Sequence, residues 1–450
     1  MADIDRRQFL KAAGLAGMAA GVVGVTGGCS SGAAKLTGKP VRIGVVSNQT
    51  GALSGFGEAD SVVIANIRSA LKDGITIGGK SFPLQIELKD TGSQPQRSAQ
   101  VASDLINSGV DLLLATGAPE IVNPACTAAE KAGTPCLSTN APWQAWFFGR
   151  TDQDLAKPHS FNWTYHLMWG LEDLIAAYQG IWSQVTNNKV VASLFTHDPD
   201  GDAWANKDTG LPPIMGKMGY TFVQDPRPQD GANDYSALLR NFAHTDAQIL
   251  TGNPAPPDFA TFWQQANQTS DPSLRFRPQI ATVGKALLFP AFLEVLKPSP
   301  VGLTSEVTWH PTWPTKSSLT GLSAAQWADE YTRLTHRQWT QPIGTVHALF
   351  EVAISALQRA GVGDPQAIVD AVQHTSMDTI VGHLSWASNR KTNVPAVPAA
   401  AKNISKFPVV GGQWVATPGK QFPFDLLIVA NPGHPEIPVA RRVQALSPLQ

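Results

Sequence analysis

Short apolar runs alternate with amphipathic stretches along the chain from residue 40 onward. Val41 to Val46 has the length and continuous hydrophobicity of a buried strand, and apolar side chains at helical spacing follow between Val62 and Leu71. The same alternation predicts further strands at 84–90, 110–115, 135–138, 189–196, 221–224, 248–251, 279–282 and 303–308. Strands that alternate with helices in this way form parallel sheets covered on both faces, so the pattern predicts an α/β fold.

The loop between the first strand and the first helix is the first candidate binding element. It reads Thr50-Gly51-Ala52-Leu53-Ser54-Gly55-Phe56-Gly57. Glycines let the backbone approach a ligand closely, and free N–H groups at a helix start attract anions. The loop is therefore typical of a ligand site at the end of a strand in a doubly wound sheet.

The first 31 residues have the pattern of an export signal. Arg6-Arg7 opens a twin-arginine motif, and an apolar stretch from Ala12 to Gly24 follows that is short for a membrane span. Thr26-Gly27-Gly28-Cys29 then resembles a lipoprotein cleavage box, although Thr26 stands where Leu or Val is usual. We expect export by the twin-arginine route, to the periplasm or the outer face of the cytoplasmic membrane, with Cys29 as the lipid-bearing residue.

Length and composition narrow the remaining choices. The rest of the chain exceeds what one hydrophobic core usually organises, so two lobes are expected. A formal charge of −1, with 15% charged residues, gives no indication of a nucleic acid partner. Cys126 falls in a predicted helix and Cys136 at the start of a strand, which favours two buried free thiols over a disulfide.

Motifs for catalysis and for metals are weak. The glycines near Gly55 do not have the G-x-G-x-x-G spacing of a dinucleotide site, and Ser54 does not lie in the G-x-S-x-G elbow of serine hydrolases. The zinc-binding motif H-E-x-x-H does not occur. The aspartates from Asp198 to Asp202 resemble a calcium loop that lacks its glycine and its last glutamate, and they are more typical of helix caps. The sequence therefore predicts no enzyme, no cofactor and no metal.

The chain resembles the extracytoplasmic solute-binding proteins of branched-chain amino acid-type ABC transporters, which have the type I periplasmic binding fold. The resemblance lies in several segments that occur in the same order as in that family. The matching segments are IGVVSNQTGALSGFG, KDTGSQP, LLLATGAPEIVNPA, TPCLSTNAPW, FTHDPDGDAW, QWTQPIGTVHALFEVAISAL and TIVGHLSW. The resemblance implies two doubly wound lobes, joined by three crossings, that close over a small ligand. It places one lobe at 40–161 plus 311–380 and the other at 162–310 plus 381–431. The prolines among the last twenty residues predict a loosely held tail at 432–450.

The resemblance also implies which residues contact the ligand. In the first lobe these are Ser54, Phe56, Ala118, Pro119, Asn140, Ala141 and Pro142. In the second lobe they are Asp200, Asn253 and Lys285. In amino acid binders of this family the position of Lys285 is typically acidic, so a lysine there would attract a carboxylate and repel an ammonium.

Aromatic residues cluster near the predicted cleft loops. Trp143 follows one loop directly, and Trp204 and Trp309 follow strands of the second lobe. Several such residues pack cores in any protein, but the cluster favours an apolar or aromatic ligand. With Lys285, it leads to the hypothesis that the ligand is an apolar or aromatic carboxylate.

Other functions remain open at this point. Branched-chain amino acids, or amides such as urea, are the alternative ligands within the same class. A sensor that presents its ligand to a receptor, or an exported enzyme with a cofactor, is the alternative of another class. We expect a monomer that delivers a small molecule to a membrane permease.

Overall fold

The computed structural model describes residues 36, 38–224, 226–297, 299–361, 363–388 and 395–446. The predicted signal segment and the predicted lipid-bearing Cys29 lie outside these residues. Among the described residues, no helix is both long and apolar enough to cross a membrane.

Two parallel sheets organise the chain. The strands in chain order are β1 Val41–Ser47, β2 Ile75–Ile77, β3 Lys80–Phe82, β4 Leu84–Asp90, β5 Leu112–Thr116, β6 Cys136–Thr139, β7 Thr164–Leu167, β8 Val190–Leu194, β9 Thr221–Val223, β10 Ile249–Gly252, β11 Ile280–Val283, β12 Thr304–Val307, β13 Ser376–Thr379, β14 Gly382–Ser385, β15 Ile404–Ser405, β16 Val410–Ala416 and β17 Phe424–Ala430. The first sheet has the order β15-β7-β6-β5-β1-β4 and is parallel throughout. The second has the order β17-β16-β12-β11-β10-β8-β9, with β16 and β17 antiparallel. The predicted doubly wound α/β architecture is confirmed.

Helices cover the faces of both sheets. They are Asp60–Ala70, Pro95–Asn107, Pro119–Ala132, Trp143–Phe148, Leu171–Trp182, Pro199–Trp204, Leu211–Gly216, Ser236–His244, Pro256–Gln268, Pro290–Leu293, Ala324–Thr335, Pro342–Ala360, Pro365–Gln373 and Pro398–Ala401. Many begin with proline, which suits the first helical position because its missing N–H has no helical partner there. Asp198 caps one of them by accepting a hydrogen bond from the Gly201 N–H at 2.6 Å, as the cap interpretation predicted.

The chain crosses between the sheets three times. It leaves the first sheet after β7 and enters the helix Leu171–Trp182, which packs on β12, β16 and β17. It returns after β12 to the helix Pro342–Ala360, which packs against β5 and β6, and it crosses again between β15 and β16. The three-crossing hinge is therefore present.

Two predicted lobe boundaries are wrong in detail. The strand Thr164–Leu167 pairs with β6, and the two-residue strand Ile404–Ser405 pairs with it in turn, so both belong to the first sheet. The boundaries at 162 and 381 had assigned them to the second lobe. The strand Gly382–Ser385, just after the second boundary, forms a hairpin with β13.

The tail is also held more firmly than predicted. The Ala440 N–H donates to the Ile428 carbonyl, and the Leu446 N–H donates to the Gln279 carbonyl, each at 2.8 Å. The Gln413 side chain accepts from the Gln444 N–H at 3.0 Å. Through residue 446 the tail is thus fixed to the second sheet by backbone hydrogen bonds.

Cys126 and Cys136 are free thiols buried in the first lobe. Their sulfur atoms are 3.9 Å apart, beyond the length of a disulfide bond. The prediction of two buried thiols agrees with this geometry.

Candidate functional site

A small cavity lies between the two lobes, where the carboxyl ends of the strands face each other. Its volume is about 30 Å³. Its lining residues are Phe56, Ala118, Pro119, Asn140, Pro142, Met168, Trp169, Asp200, Trp204, Lys285, Leu288, Glu306, Thr308, Gln341 and Pro342. Most of these follow the end of a strand, which is where doubly wound sheets bind ligands.

An apolar cluster closes the two lobes together beside this cavity. The rings of Phe56 in the first lobe and Phe289 in the second meet edge to face, with centroids 4.8 Å apart. Leu53, Ile121 and Leu288 belong to the same buried cluster. Aromatic pairs in this arrangement attract one another, so the contact stabilises the closed arrangement of the lobes.

The charged part of the site centres on Lys285. Its Nζ lies 2.8 Å from a Glu120 oxygen, 3.0 Å from Asp198 and 3.6 Å from Asp200. Lys285 is 4% exposed. Glu120 belongs to the first lobe and the other three residues to the second, so this buried ion cluster spans the cleft.

Burial shifts the proton equilibria of these groups in different directions. Burial raises the pKa of Glu120 to about 7, although Lys285 partly opposes the change. Burial also raises the pKa of Asp200, against Lys285 and the Asn253 amide. At Asp198 burial acts in the same sense, but Lys285 and the Gly201 N–H outweigh it and lower the pKa. The acids nearest the cavity therefore hold protons more readily than free carboxyls.

Acidic groups outnumber basic groups around the cavity. Glu306 also lines the cavity, and burial raises its pKa. As a carboxylate it can accept hydrogen bonds from a ligand but cannot donate one. Lys285 is the one cationic side chain among the described lining residues. The expectation that Lys285 offers a free positive charge to a ligand carboxylate was wrong, because three carboxylates already surround it.

Hydrogen-bond donors without a protein partner point to where a ligand oxygen would bind. They are Asn140 Nδ2, Trp169 Nε1 and Trp204 Nε1, each on a buried residue that lines the cavity. Asn140 Oδ1 accepts from the Thr345 hydroxyl at 2.7 Å, which fixes the amide. The helices that begin at Pro119 and Pro342 also reach the cavity with their first residues, and helix N-termini favour negative charge.

The structure places seven predicted site residues on the cavity. They are Phe56, Ala118, Pro119, Asn140, Pro142, Asp200 and Lys285. Asn253 is buried next to Asp200, and Ser54 lies in the turn beside Phe56 without lining the cavity.

The other predicted contacts pack elsewhere. Trp143 donates its indole N–H to Glu172 at 3.0 Å, and the Ala141 carbonyl lies 2.7 Å from His166 Nε2. Trp309 is fully buried in the second crossing and packs closely on Gly344. For Trp143 and Trp309 the cavity assignment was wrong, because both fill the hinge and core.

Sequence reasoning missed several lining residues. Met168, Trp169, Leu288, Glu306, Thr308, Gln341 and Pro342 were not assigned to the site, and Trp204 was recognised only as part of the aromatic cluster. Glu306 offered a signal, because an acid in an otherwise uncharged buried strand needs a partner. It accepts a hydrogen bond from the Tyr178 hydroxyl at 2.7 Å.

Two lobes, three crossings and a cavity between strand ends define a periplasmic-type binding protein. The sequence profile of the periplasmic binding protein family matches residues 40–402. The chain belongs to this family, so it is an extracytoplasmic binding protein and not an enzyme.

Solved structures show the same fold at low sequence identity. The leucine-binding protein LivK of Thermotoga maritima is 18% identical, with a TM-score of 0.65 over 87% of this chain and 99% of that one. LivJ of Streptococcus pneumoniae, in complex with isoleucine, is 14% identical, with a TM-score of 0.63 over 87% and 100%. A solute-binding protein of Rhodopseudomonas palustris, in complex with 3,4-dihydroxybenzoic acid, is 14% identical, with a TM-score of 0.62 over 88% and 99%. No curated protein matches the chain.

Proposed function

We propose that this protein captures an amino acid for import, with the ligand carboxylate on the first lobe and its ammonium on the second. The excess of acidic over basic side chains around the cavity carries this proposal. Asp200 and Glu306 line the cavity, and only Lys285 opposes them among the described lining residues. A ligand with a positive group is attracted to such a site, whereas a simple anion is repelled.

The first lobe supplies the opposite polarity. Asn140 Nδ2 has no protein partner, and the N-termini of the helices at Pro119 and Pro342 reach the same space. These groups suit a carboxylate, or the carbonyl oxygen of an amide. A small amide is therefore the neutral alternative within the same proposal.

An apolar or aromatic carboxylate is the second candidate. Phe56, Trp169 and Trp204 offer aromatic surface to the cavity, and one relative of the same fold was crystallised with an aromatic acid. The acid excess opposes this ligand, because Lys285 is already paired with carboxylates. Its ring would stack on the aromatic side chains, and its carboxylate would have only the neutral donors of the first lobe and no counter-charge.

A thermal-shift series at neutral pH separates these ligands. Leucine carries an ammonium and a carboxylate, leucinamide carries an ammonium and a neutral amide, and isovalerate and benzoate each carry a carboxylate without an ammonium. We expect leucine to raise the melting temperature, and isovalerate and benzoate to leave it unchanged. Stabilisation by benzoate together with no response to any amino acid in a full panel would overturn the proposal in favour of the aromatic acid.

A matched pair of variants tests whether the acidic side chains of the cavity bind the ligand ammonium. Asp200→Asn removes a carboxylate that lines the cavity, and Asp202→Asn removes an exposed one from the same helix. We expect the first to weaken amino acid binding at least tenfold and the second to leave it unchanged. Equal effects of the two variants would contradict the assignment of Asp200.

The N-terminal segment leads to a separate proposal about location. We propose twin-arginine export followed by lipid attachment at Cys29, with a monomer docking on a membrane permease. Changing Arg6 and Arg7 to lysine should retain the protein in the cytoplasm. Cys29→Ala should release it from membranes, and an unchanged membrane fraction would exclude lipidation. Solubilised protein should behave as a monomer in light scattering.

A further inference from the structure

A second, larger space adjoins the cavity on the outside of the cleft. This outer groove has a volume of about 840 Å³ and runs between the helices Pro95–Asn107 and Pro119–Ala132 of the first lobe. Residues 197–199 and Asp230 of the second lobe form its opposite side. Pro119 lines both spaces, so the inner cavity and the outer groove are neighbours.

The Lys285 ion cluster forms the wall between these two spaces. Glu120 and Asp198 line the outer groove, whereas Lys285 lines the inner cavity. The ammonium joins the two sides through hydrogen bonds of 2.8 and 3.0 Å. A solute can pass from the groove to the cavity along this side only when that contact opens.

The backbone at Lys285 is strained in a way that directs the side chain into this wall. Lys285 has φ +52° and ψ −66°, and the Ala286 N–H donates to the Gly284 carbonyl across it. This is the γ-turn of positive φ, which is rare and strained for a residue with a side chain. Observed strain at a buried charged residue is typical of functional positions.

The pair also connects the lobes. Glu120 stands in the first turn of the helix Pro119–Ala132, and Lys285 follows β11 of the second sheet. Opening the cleft must separate these two groups and expose both to water. Removing one partner of a buried ion pair leaves the other charge unpaired, so each should depend strongly on its partner.

We propose that the Glu120–Lys285 pair is a gate that seals the inner cavity from the outer groove and sets the rate at which solute enters and leaves. The inference rests on solute capture by this cleft and holds for any ligand. It makes Lys285 a positioning residue, in place of the direct ligand contact expected from the sequence.

The gate can be tested without a ligand by measuring access to the cavity. Met168 lines the cavity and is distant in sequence from both partners, so Met168→Cys places a reporter thiol there. N-ethylmaleimide labels exposed thiols, and mass mapping assigns the label to each position. We expect slow labelling of residue 168 in the parent, and at least tenfold faster labelling when Glu120→Gln or Lys285→Met is added.

Controls separate gating from unfolding. The native Cys126 and Cys136 are buried in the first-lobe core, so their labelling reports global opening and should stay slow. Glu87→Gln removes a partly exposed carboxylate on the edge strand β4 and should change nothing. The double variant should label no faster than the faster single one, because each single change already breaks the Glu120–Lys285 contact.

Three results would overturn the gate. They are unchanged labelling of residue 168 in both single variants, equal acceleration at the two native cysteines, and additive acceleration in the double variant. A failure of the amino acid panel leaves this test unaffected, because no ligand is used. The labelling experiment therefore tests the gate independently of the proposed amino acid binding.

Discussion

Gly55 offers a way to hold the lobes apart without deleting a contact. A Cβ atom at this position would lie 2.5 Å from Cγ and from Cδ2 of Phe289, which belongs to the other lobe. Ordinary contacts of a Cβ atom lie at 3.4–4 Å, so the lobes must separate locally by about 1 Å. Because Cγ is attached directly to the Phe289 Cβ, rotating the ring cannot clear it.

The expected magnitude follows from the cost of overpacking. Gly55 lies in a short 3-10 helix with negative φ, so alanine is free of backbone strain there. Inserting a methyl group into a packed interface costs about 1–3 kcal/mol. Since the clash exists only when the lobes are closed, ligand binding should weaken by roughly 5- to 150-fold.

Isothermal titration with the best ligand of the panel measures this effect. Gly216→Ala is the matched control, because a Cβ atom there meets no other atom within 4 Å. In a Phe289→Ala background the Gly55 change should have little further effect. A dissociation constant within twofold of the parent for Gly55→Ala would refute the view that this contact belongs to the ligand-bound closed form.

Three further predictions concern the hinge, the first-lobe donor proposed for the ligand carboxylate, and the pH dependence of stability. Gly344→Ala should lower the urea midpoint by the equivalent of about 1–3 kcal/mol, because its Cβ would lie 2.2 Å from the Trp309 ring. Helix propensity alone predicts a gain in stability for this change, so a stabilised variant would contradict this packing. Asn140→Asp replaces the unpartnered amide donor by an acid and should weaken amino acid binding at least tenfold in calorimetry, whereas unchanged affinity would place the carboxylate elsewhere. Burial raises the pKa of Asp60 to about 7, so the folded state holds a proton that the unfolded state releases near pH 4, and stability falls as pH rises from about 4 to 7. Asp60→Asn should flatten this dependence in denaturation curves, and an unaltered slope would show that other acids cause it.

The sequence predicted the fold and the first-lobe loops because these depend on local pattern. Buried strands are continuous apolar runs, and Ala118 and Asn140 follow the ends of two such runs. The two-residue strand Ile404–Ser405 is too short for any periodicity, so the boundary after 381 was misplaced. Features encoded within a single strand or helix could therefore be predicted from the sequence, whereas the pairing of short strands that are distant along the chain could not.

The charge of the site could not be derived from one position. Lys285 was interpreted alone, but its partners Glu120 and Asp198 are 165 and 87 residues away along the chain. The tryptophans raise a similar difficulty, since Trp204 lines the cavity and Trp309 fills the hinge although both follow strand ends. Which side of a loop faces a ligand depends on the arrangement of both lobes, and no local pattern encodes it.

Both sheets receive strands from the last part of the chain. The first sheet receives Ile404–Ser405 at one edge, and the second receives Val410–Ala416 and Phe424–Ala430. During synthesis, neither sheet is complete until about residue 405 has left the ribosome for the first and about residue 430 for the second. A nascent chain that stops earlier exposes the unpaired edge of β12, and such edges favour aggregation. The order of strands thus delays completion of the two sheets until residues 405 and 430, respectively, have been synthesised.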